Sequence, residues 1–283
     1  MAKPHPIITL LTDFGERDGY VGAMRGVMLS ITPEARLVDI SHEVAPQDIR
    51  QAALILSSVY TYFPSHTVHL VVVDPGVGGK RHPIAVETPR GRFVAPDNGV
   101  LTYVWLAEPE SRAVTLDKPE YWLPSPSYTF HGRDIFSPVA AHLAGGATLD
   151  DVGSPLEDPV MLSFPPLSIT PEVIRGEVIQ IDRFGNVLTN IMHLKWLDEE
   201  WLELQPIMAS TDLEQPVRIN ARRARVTSGW HNFQGIHQTY SQVEVGQTIA
   251  LVGSNGELEL AINQGNANKV LGIDVGDTVT IHL

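Results

Sequence analysis

The 283-residue chain contains no cysteine. That excludes a disulfide framework, a thiolate-held zinc, a cysteine-ligated iron–sulfur cluster and a cysteine nucleophile. Positive charge is scarce as well: 20 Lys+Arg stand against 33 Asp+Glu, a formal net charge of −13. Nucleic-acid backbones and anionic membranes reward clustered positive charge, so neither is expected as a partner. Long apolar runs are missing too; none nears the roughly 18–20 residues of a membrane span. The opening Met1-Ala2-Lys3-Pro4-His5-Pro6 has no apolar stretch of the kind a secretory leader carries. A cytoplasmic protein is the expectation. What is present, 43% hydrophobic and 19% charged residues, is ordinary for a packed chain.

Ile7 to Leu11 is a short β-branched run ending in Thr12-Asp13-Phe14-Gly15, which reads as a buried strand delivering an acid at its carboxyl end. Asp18 is placed to cap a helix with Val21, Met24, Val27 and Met28 inward. Arg36 to Ile40 is a second strand, Asp48 to Tyr62 a second helix, and Val68 to Val73 a third strand that again ends in an acid, Asp74. Strands alternating with helices predict a parallel, helix-covered sheet, and ligands of such sheets collect where strands end. Pro83 to Thr88 and Arg92 to Val94 read as strands around a turn, and Asp134 to Leu143 as a third helix.

Between Ser154 and Pro171 prolines crowd the chain, and beyond them short strands follow one another with Gly/Asn turns. The fold class expected is α/β: a helix-covered, largely parallel sheet domain over residues 1–153 and a Pro-rich linker over 154–171. A smaller all-β, barrel-like domain follows over residues 172–283.

Four clusters carry chemistry. Asp74-Pro75-Gly76-Val77-Gly78-Gly79-Lys80-Arg81 fits neither the Rossmann fingerprint nor the P-loop, so its glycines suggest a turn that folds Arg81 back towards Asp74. In Phe130-His131-Gly132-Arg133-Asp134, His131 follows a Pro/Ser loop instead of lying on an apolar face. No second histidine at metal-ligand spacing accompanies it, so no metal is expected. Asp182-Arg183-Phe184-Gly185-Asn186 reads as a hairpin turn, but its aromatic and amide also suit a purine. In Gly253 to Asn263, strict alternation sets Leu258, Leu260 and Ile262 on one face and turns Glu259 towards solvent.

Taken in order, Thr12-Asp13-Phe14-Gly15, Asp74-Pro75-Gly76-Val77-Gly78, Pro96-Asp97-Asn98-Gly99, Phe130 to Asp134, Asp182 to Asn186 and Ser254-Asn255-Gly256 with Leu258-Glu259 closely resemble the SAM hydrolases. That family, also called SAM hydroxide adenosyltransferases, is related to SAM-dependent fluorinases and chlorinases. The resemblance implies cleavage of S-adenosyl-L-methionine to adenosine and L-methionine by water attacking ribose C5′, with no cofactor. It implies homotrimers whose sites lie between the N-terminal domain of one subunit and the β domain of the next. A water-activating set falls on Asp74, Arg81 and His131, and a ribose ligand on Asp13. Methionine-binding acids fall on Asp18 and Asp182, adenine contacts on Phe184 and Asn186, and further substrate contacts on Ser254, Glu259 and Ile262. Gln47 stands where the fluorinase has a tryptophan, and the segment from Pro83 to Phe93 lacks the long fluorinase insertion. Hydrolysis is therefore expected over halide transfer, with an inert SAM or adenosine sensor and a metal-dependent hydrolase as the other readings.

Overall fold

The computed structural model describes residues 5–205 and 216–283; residues 1–4, on which part of the reading of the chain's opening rests, lie outside them. The chain divides into two compact units, Met1–Leu162 and Ser163–Leu283.

The first unit is a seven-stranded sheet in the order β2-β1-β3-β5-β4-β6-β7. Its strands are β1 (Ile7–Thr12), β2 (Arg36–Ser41), β3 (Val68–Val72), β4 (Pro83–Thr88), β5 (Gly91–Pro96), β6 (Arg112–Thr115) and β7 (Ser154–Pro155). The pairs β1–β2, β1–β3 and β3–β5 are parallel. From β4 onward the pairing is antiparallel, because the short turn between β4 and β5 leaves no room for a crossover. The parallel half is the half that ends in acids.

Both faces are covered, which is why the central strands read as unbroken apolar runs. On one face Ile8, Leu10, Leu70 and Val72 pack with Met24 and Met28 of α1 (Tyr20–Ile31) and with Val139 and Ala140 of α4 (Ser137–Gly145). On the other, Leu11, Val71 and Val73 pack with Ala52 and Leu56 of α2 (Ile49–Val59) and Val104 of α3 (Thr102–Ala107). Asp48 caps α2 by accepting from the Gln51 N–H at 2.8 Å. Asp18 does not cap α1: the flanking residue is Gly19, which makes no side-chain cap. The loop carrying Asp18 runs on past the position that the spacing suggested.

One polar residue in this core titrates well below its ordinary range. His69 of β3 is 0% exposed, stacked on Phe93 at 4.9 Å, and bonded through Nδ1 to the Thr9 hydroxyl at 2.8 Å. Its Nε2 has no partner among the described residues. Burial pushes its pKa down from 6.5 to about 4. Between those values the unfolded chain takes up a proton that the folded chain refuses. Stability is therefore full above about pH 6.5 and falls progressively towards pH 4, by about 3 kcal/mol in total. His69→Gln is expected to flatten that part of a denaturant-midpoint-against-pH curve; an unchanged slope would remove His69 from the account.

The second unit is antiparallel. Its main sheet runs β15-β14-β18-β9-β10-β17-β16, with β8 added to β9. These are β8 (Ser168–Ile169), β9 (Val173–Ile181), β10 (Val187–Thr189), β14 (Arg225–Ser228), β15 (His231–Gln234), β16 (Thr248–Val252), β17 (Leu258–Ile262) and β18 (Thr278–His282). A parallel bridge from His237 to Leu251 links the chain just after β15 to β16, so the sheet nearly closes into a barrel. Its interior holds Ile174, Val187, Val226, Leu260, Val279 and Ile281. A separate small sheet joins β11 (Leu194–Trp196), β12 (Trp201–Leu204) and β13 (Val217–Asn220). β13 and β14, close in sequence, thus lie in different sheets. Turn residues 221–224 separate them, with Ala224 N bonded to Asn220 O at 2.9 Å. A last helix, α5 (Ala267–Leu271), completes the unit. Among the described residues no helix is long and apolar enough to cross a membrane.

Candidate active site

In the parallel register Thr12 lies opposite Val72, so Asp13 and Asp74 leave adjacent strands at the same sheet edge. From Asp74 the chain makes two tight turns, Val77 N to Asp74 O at 3.2 Å and Gly79 N to Gly76 O at 3.0 Å. This folding returns Arg81 to Asp74. Arg81 Nε donates to Asp74 Oδ1 at 2.9 Å and to Oδ2 at 3.1 Å, and its NH2 group also bonds Oδ2. The two side chains are only 9% and 5% exposed, so the charges are shielded from water and hold each other in a fork. The guanidinium also lies 5.3 Å from the centre of the Phe136 ring.

The same guanidinium reaches His131: Arg81 NH2 to His131 Nδ1 is 3.0 Å. Arginine can only donate, so Nδ1 must be the acceptor and the ring proton sits on Nε2. Burial, then the positive charge of Arg81, holds the His131 pKa below its ordinary value, while Asp74 and Asp134 pull the other way. The imidazole is therefore neutral near pH 7, with Nε2–H as a donor. It follows that His131 in this state offers a hydrogen bond to a water oxygen and cannot accept that water's proton at Nε2.

His131 is set at the start of a single π-helical turn, Gly132–Phe136, that runs into α4. The expected helix from Asp134 thus begins earlier and wider, with the Ser137 hydroxyl donating to Gly132 O at 2.7 Å. Gly132 is needed for packing: a Cβ there would meet Phe130 and Val72 at 3.3 Å. Asp134 is buried, receives Arg133 Nε at 2.6 Å and Ser127 N at 2.8 Å, and so ties the preceding loop to the helix. Asp13 accepts the Gln47 N–H at 2.8 Å through Oδ2. Gln47 holds a left-handed φ of 68° to make that contact. Asp18 is exposed in the loop before α1.

The second unit gathers a different set. Asp182 Oδ1 accepts from Phe184 N and Asn186 N, each at 2.8 Å, and Oδ2 from Asn186 Nδ2 at 2.9 Å. These three bonds use most of the roughly four acceptor sites of a carboxylate. They wind the turn that leaves Phe184 74% exposed and Asn186 buried. Asn186 Nδ2 also approaches the Tyr240 hydroxyl at 3.4 Å, so the amide oxygen is what Asn186 can offer a ligand. Tyr240 in turn donates to Glu259 Oε1 at 2.6 Å. Sequence reasoning missed Tyr240, which sits in a polar stretch with no periodicity to mark it.

Glu259 corrects an expectation: it is 5% exposed, not turned to solvent. β17 is paired on both sides, with β10 and β16, and the face carrying Glu259 is covered as well. Burial pushes its carboxyl up to about 7, against the opposing hydrogen bond from Tyr240. Ser254, exposed in the turn before β17, and Ile262, buried at the strand's end, lie at opposite ends of that strand.

Among the described residues one group could hold a metal ion, namely Glu16, Asp39 and His42. Arg25 pairs with both carboxylates and already supplies their counter-charge. In the basic run Arg222-Arg223-Ala224-Arg225, Arg222 NH1 pairs with Glu200 at 3.0 Å.

Comparison with known proteins agrees along the whole chain. Residues 8–153 match the SAM hydroxide adenosyltransferase N-terminal domain, and residues 176–280 match the C-terminal domain of the same name. The (R)-S-adenosyl-L-methionine hydrolase of Salinispora tropica is 36% identical over 281 residues, covering 98% of each chain. That of Thermus thermophilus is 36% identical over 283 residues, covering 97% of this chain and 98% of the relative. A fluorinase of an Actinoplanes species is more distant, 26% identical over 310 aligned positions that cover 99% of this chain and 98% of the relative. A crystal structure of an uncharacterized conserved protein from Thermotoga maritima superposes with a TM-score of 0.83 at 36% identity, covering 98% of this chain and 100% of that one. With both domain models matched in order and nearly nine-tenths of the chain inside them, the chain belongs to the SAM hydroxide adenosyltransferase family.

Proposed function

We propose that this chain hydrolyses S-adenosyl-L-methionine to adenosine and L-methionine, and that the epimer it takes is the (R)-sulfonium named for its relatives. The observation that carries the reading is the unbroken chain of hydrogen bonds Asp74–Arg81–His131, which ends in an Nε2–H donor. A water held by that donor and by the guanidinium accepts two hydrogen bonds, and as its proton leaves, the hydroxide-like oxygen has a third lone pair for ribose C5′. The O–C5′ bond forms as the C5′–S bond breaks, its electron pair stays on sulfur, and the water's proton passes to solvent. Sulfur leaves as a neutral thioether, so no general acid is needed. The barrier lies in making water nucleophilic, and fixed positive donors favour its hydroxide-like form. In-line placement supplies much of the rest.

In this reading Asp13 binds the ribose hydroxyls, and Asp18 and Asp182 face the methionine end. Phe184 stacks on adenine while Asn186 meets its edge, and Ser254, Glu259 and the backbone near Ile262 complete the contacts. No cofactor takes part. The assembly we propose is a homotrimer with sites shared by neighbouring subunits, in the cytoplasm, where an acidic and cysteine-free chain needs no oxidising partner. A halide-using reaction is less well supported. The fluorinase alignment spans 310 positions against 283 residues here, so at least 27 positions are absent from this chain.

The test is incubation with each separated sulfonium epimer in ¹⁸O-water. We expect adenosine carrying ¹⁸O at the 5′-hydroxyl from the (R) epimer. Intact substrate after hours at stoichiometric enzyme would make the protein a sensor, and a 5′-halogenated nucleoside in chloride or fluoride would make it a halide transferase.

A further inference from the structure

The turn Pro96-Asp97-Asn98-Gly99 follows β5 and has no part in the hydrolytic chemistry above, yet it brackets the loop that supplies two of the three groups. Asn98 Nδ2 donates to the carbonyl of Val73 at 2.9 Å, and its Oδ1 accepts from Val100 N at 3.2 Å. The Val73 carbonyl belongs to the peptide that leads directly into Asp74. It lies past the last paired residue of β3, where Thr12 meets Val72 and Val94 meets Leu70, so no strand neighbour is in register to serve it. Val73 itself is fully buried, and a buried carbonyl requires a partner. At the other end of the loop, Asp97 N donates to His82 O at 2.8 Å, one residue beyond Arg81. Both ends of the segment from Asp74 to Arg81 are thus fastened to two consecutive residues of a single turn.

We propose that Asn98 is a positioning residue for the hydrolysis: its amide fixes the Val73–Asp74 peptide plane, and through it the fork between Asp74 and Arg81. This rests on the proposed function. If the peptide rotates, the carboxylate swings about its Cα, the guanidinium follows it, and the Arg81–His131 contact of 3.0 Å opens. Asn98 touches neither water nor substrate in this account. The turn and Thr102 at the start of α3, whose hydroxyl also donates to Gly99 O at 2.7 Å, have a second set of contacts that serves as an internal control. Asp97 Oδ1 accepts from Val160 N at 2.9 Å, and Thr102 Oγ1 accepts from Leu162 N at 2.8 Å. These bonds hold the chain that follows unit one's last helix and do not touch Asp74.

The experiment compares Asn98→Asp with Thr102→Val, both near-isosteric, in the full chain with the (R)-sulfonium substrate. Asn98→Asp turns the donor into a second acceptor facing the Val73 carbonyl. Its kcat is expected to fall about 10- to 100-fold with KM within about threefold, the scale of a misplacement near 1 Å. Thr102→Val is expected to lower the melting temperature while leaving kcat at the wild-type value. Should Asn98→Asp fail to fold, Asn98→Gln keeps the donor but displaces it by one methylene and should show an intermediate loss of kcat. Wild-type kcat in Asn98→Asp, or in Asn98→Gln where that variant stands in, overturns the proposal. So does an equal loss of kcat in Thr102→Val, which would mean that the turn matters only as a whole. Wild-type turnover is read first; its absence counts against the proposed function alone, since only the variant-to-wild-type ratio addresses Asn98.

Discussion

Replacing Arg81 with alanine is expected to lower kcat by about 10²–10³-fold, the loss seen when a preorganised donor to developing charge is removed. The change deletes all three bonds to Asp74 and the donor that fixes the His131 tautomer. With Nδ1 released, the imidazole proton can settle on either nitrogen, and the Nε2–H donor is no longer assured. Stability should suffer too, because Asp74, whose side chain is 5% exposed, keeps a buried charge without its partner. Breaking such a pair costs about 3–5 kcal/mol. Arg81→Lys separates the two effects. It restores a positive charge near Asp74 but cannot supply the fork and the His131 bond from one planar group. Steady-state kinetics on Arg81→Lys, checked against its thermal melt, should show stability mostly recovered and kcat still low. Full recovery of kcat by lysine would mean that charge alone matters and that the tautomer argument is wrong.

Gly78→Ala should damage turnover although it touches no reacting group. Gly78 has φ +73°, and a Cβ there would stand 2.3 Å from the backbone oxygen of Tyr128. An L-residue in that conformation costs roughly 1–2 kcal/mol before any clash. The clash is with backbone, so the loop must move, and Tyr128 precedes His131 by three residues in that same loop. A shift near 1 Å at His131 would lower kcat about 10²-fold. Gly26→Ala is the matched control: nothing lies within 4 Å of its Cβ, and it sits inside α1. It should melt at or slightly above the wild-type temperature, by up to about 1 kcal/mol of added stability, with wild-type turnover. If Gly78→Ala keeps wild-type kcat, the two loops are not coupled in the way their contact suggests.

The contrast between these glycines shows where local sequence stops being informative. Chain spacing alone made Gly76, Gly78 and Gly79 a turn, but nothing near Gly78 in sequence names Tyr128, fifty residues on, as the surface it must approach.

Local patterning determined a good deal. Unbroken apolar runs with acids at their ends marked β1 and β3 as strands covered on both faces. Helical spacing placed Met24 and Met28 inward, and Gly/Asn turns marked the second half as β. Order and chemistry of the short motifs, taken with the family resemblance, pointed to Asp74, Arg81 and His131. Tertiary structure decided the rest. Periodicity records one face of one strand, so it turned Glu259 to solvent, although Tyr240 and Val243 lie over that face and burial raises its carboxyl to about 7. The proton on His131 was settled by a guanidinium fifty residues away. Tyr240 and Asn98 gained their partners, Glu259 and the Val73 carbonyl, only through folding. Hydrogen-bond partners and desolvation are properties of groups brought close in space, and spacing along a chain encodes them only where the neighbours in space are also neighbours in sequence.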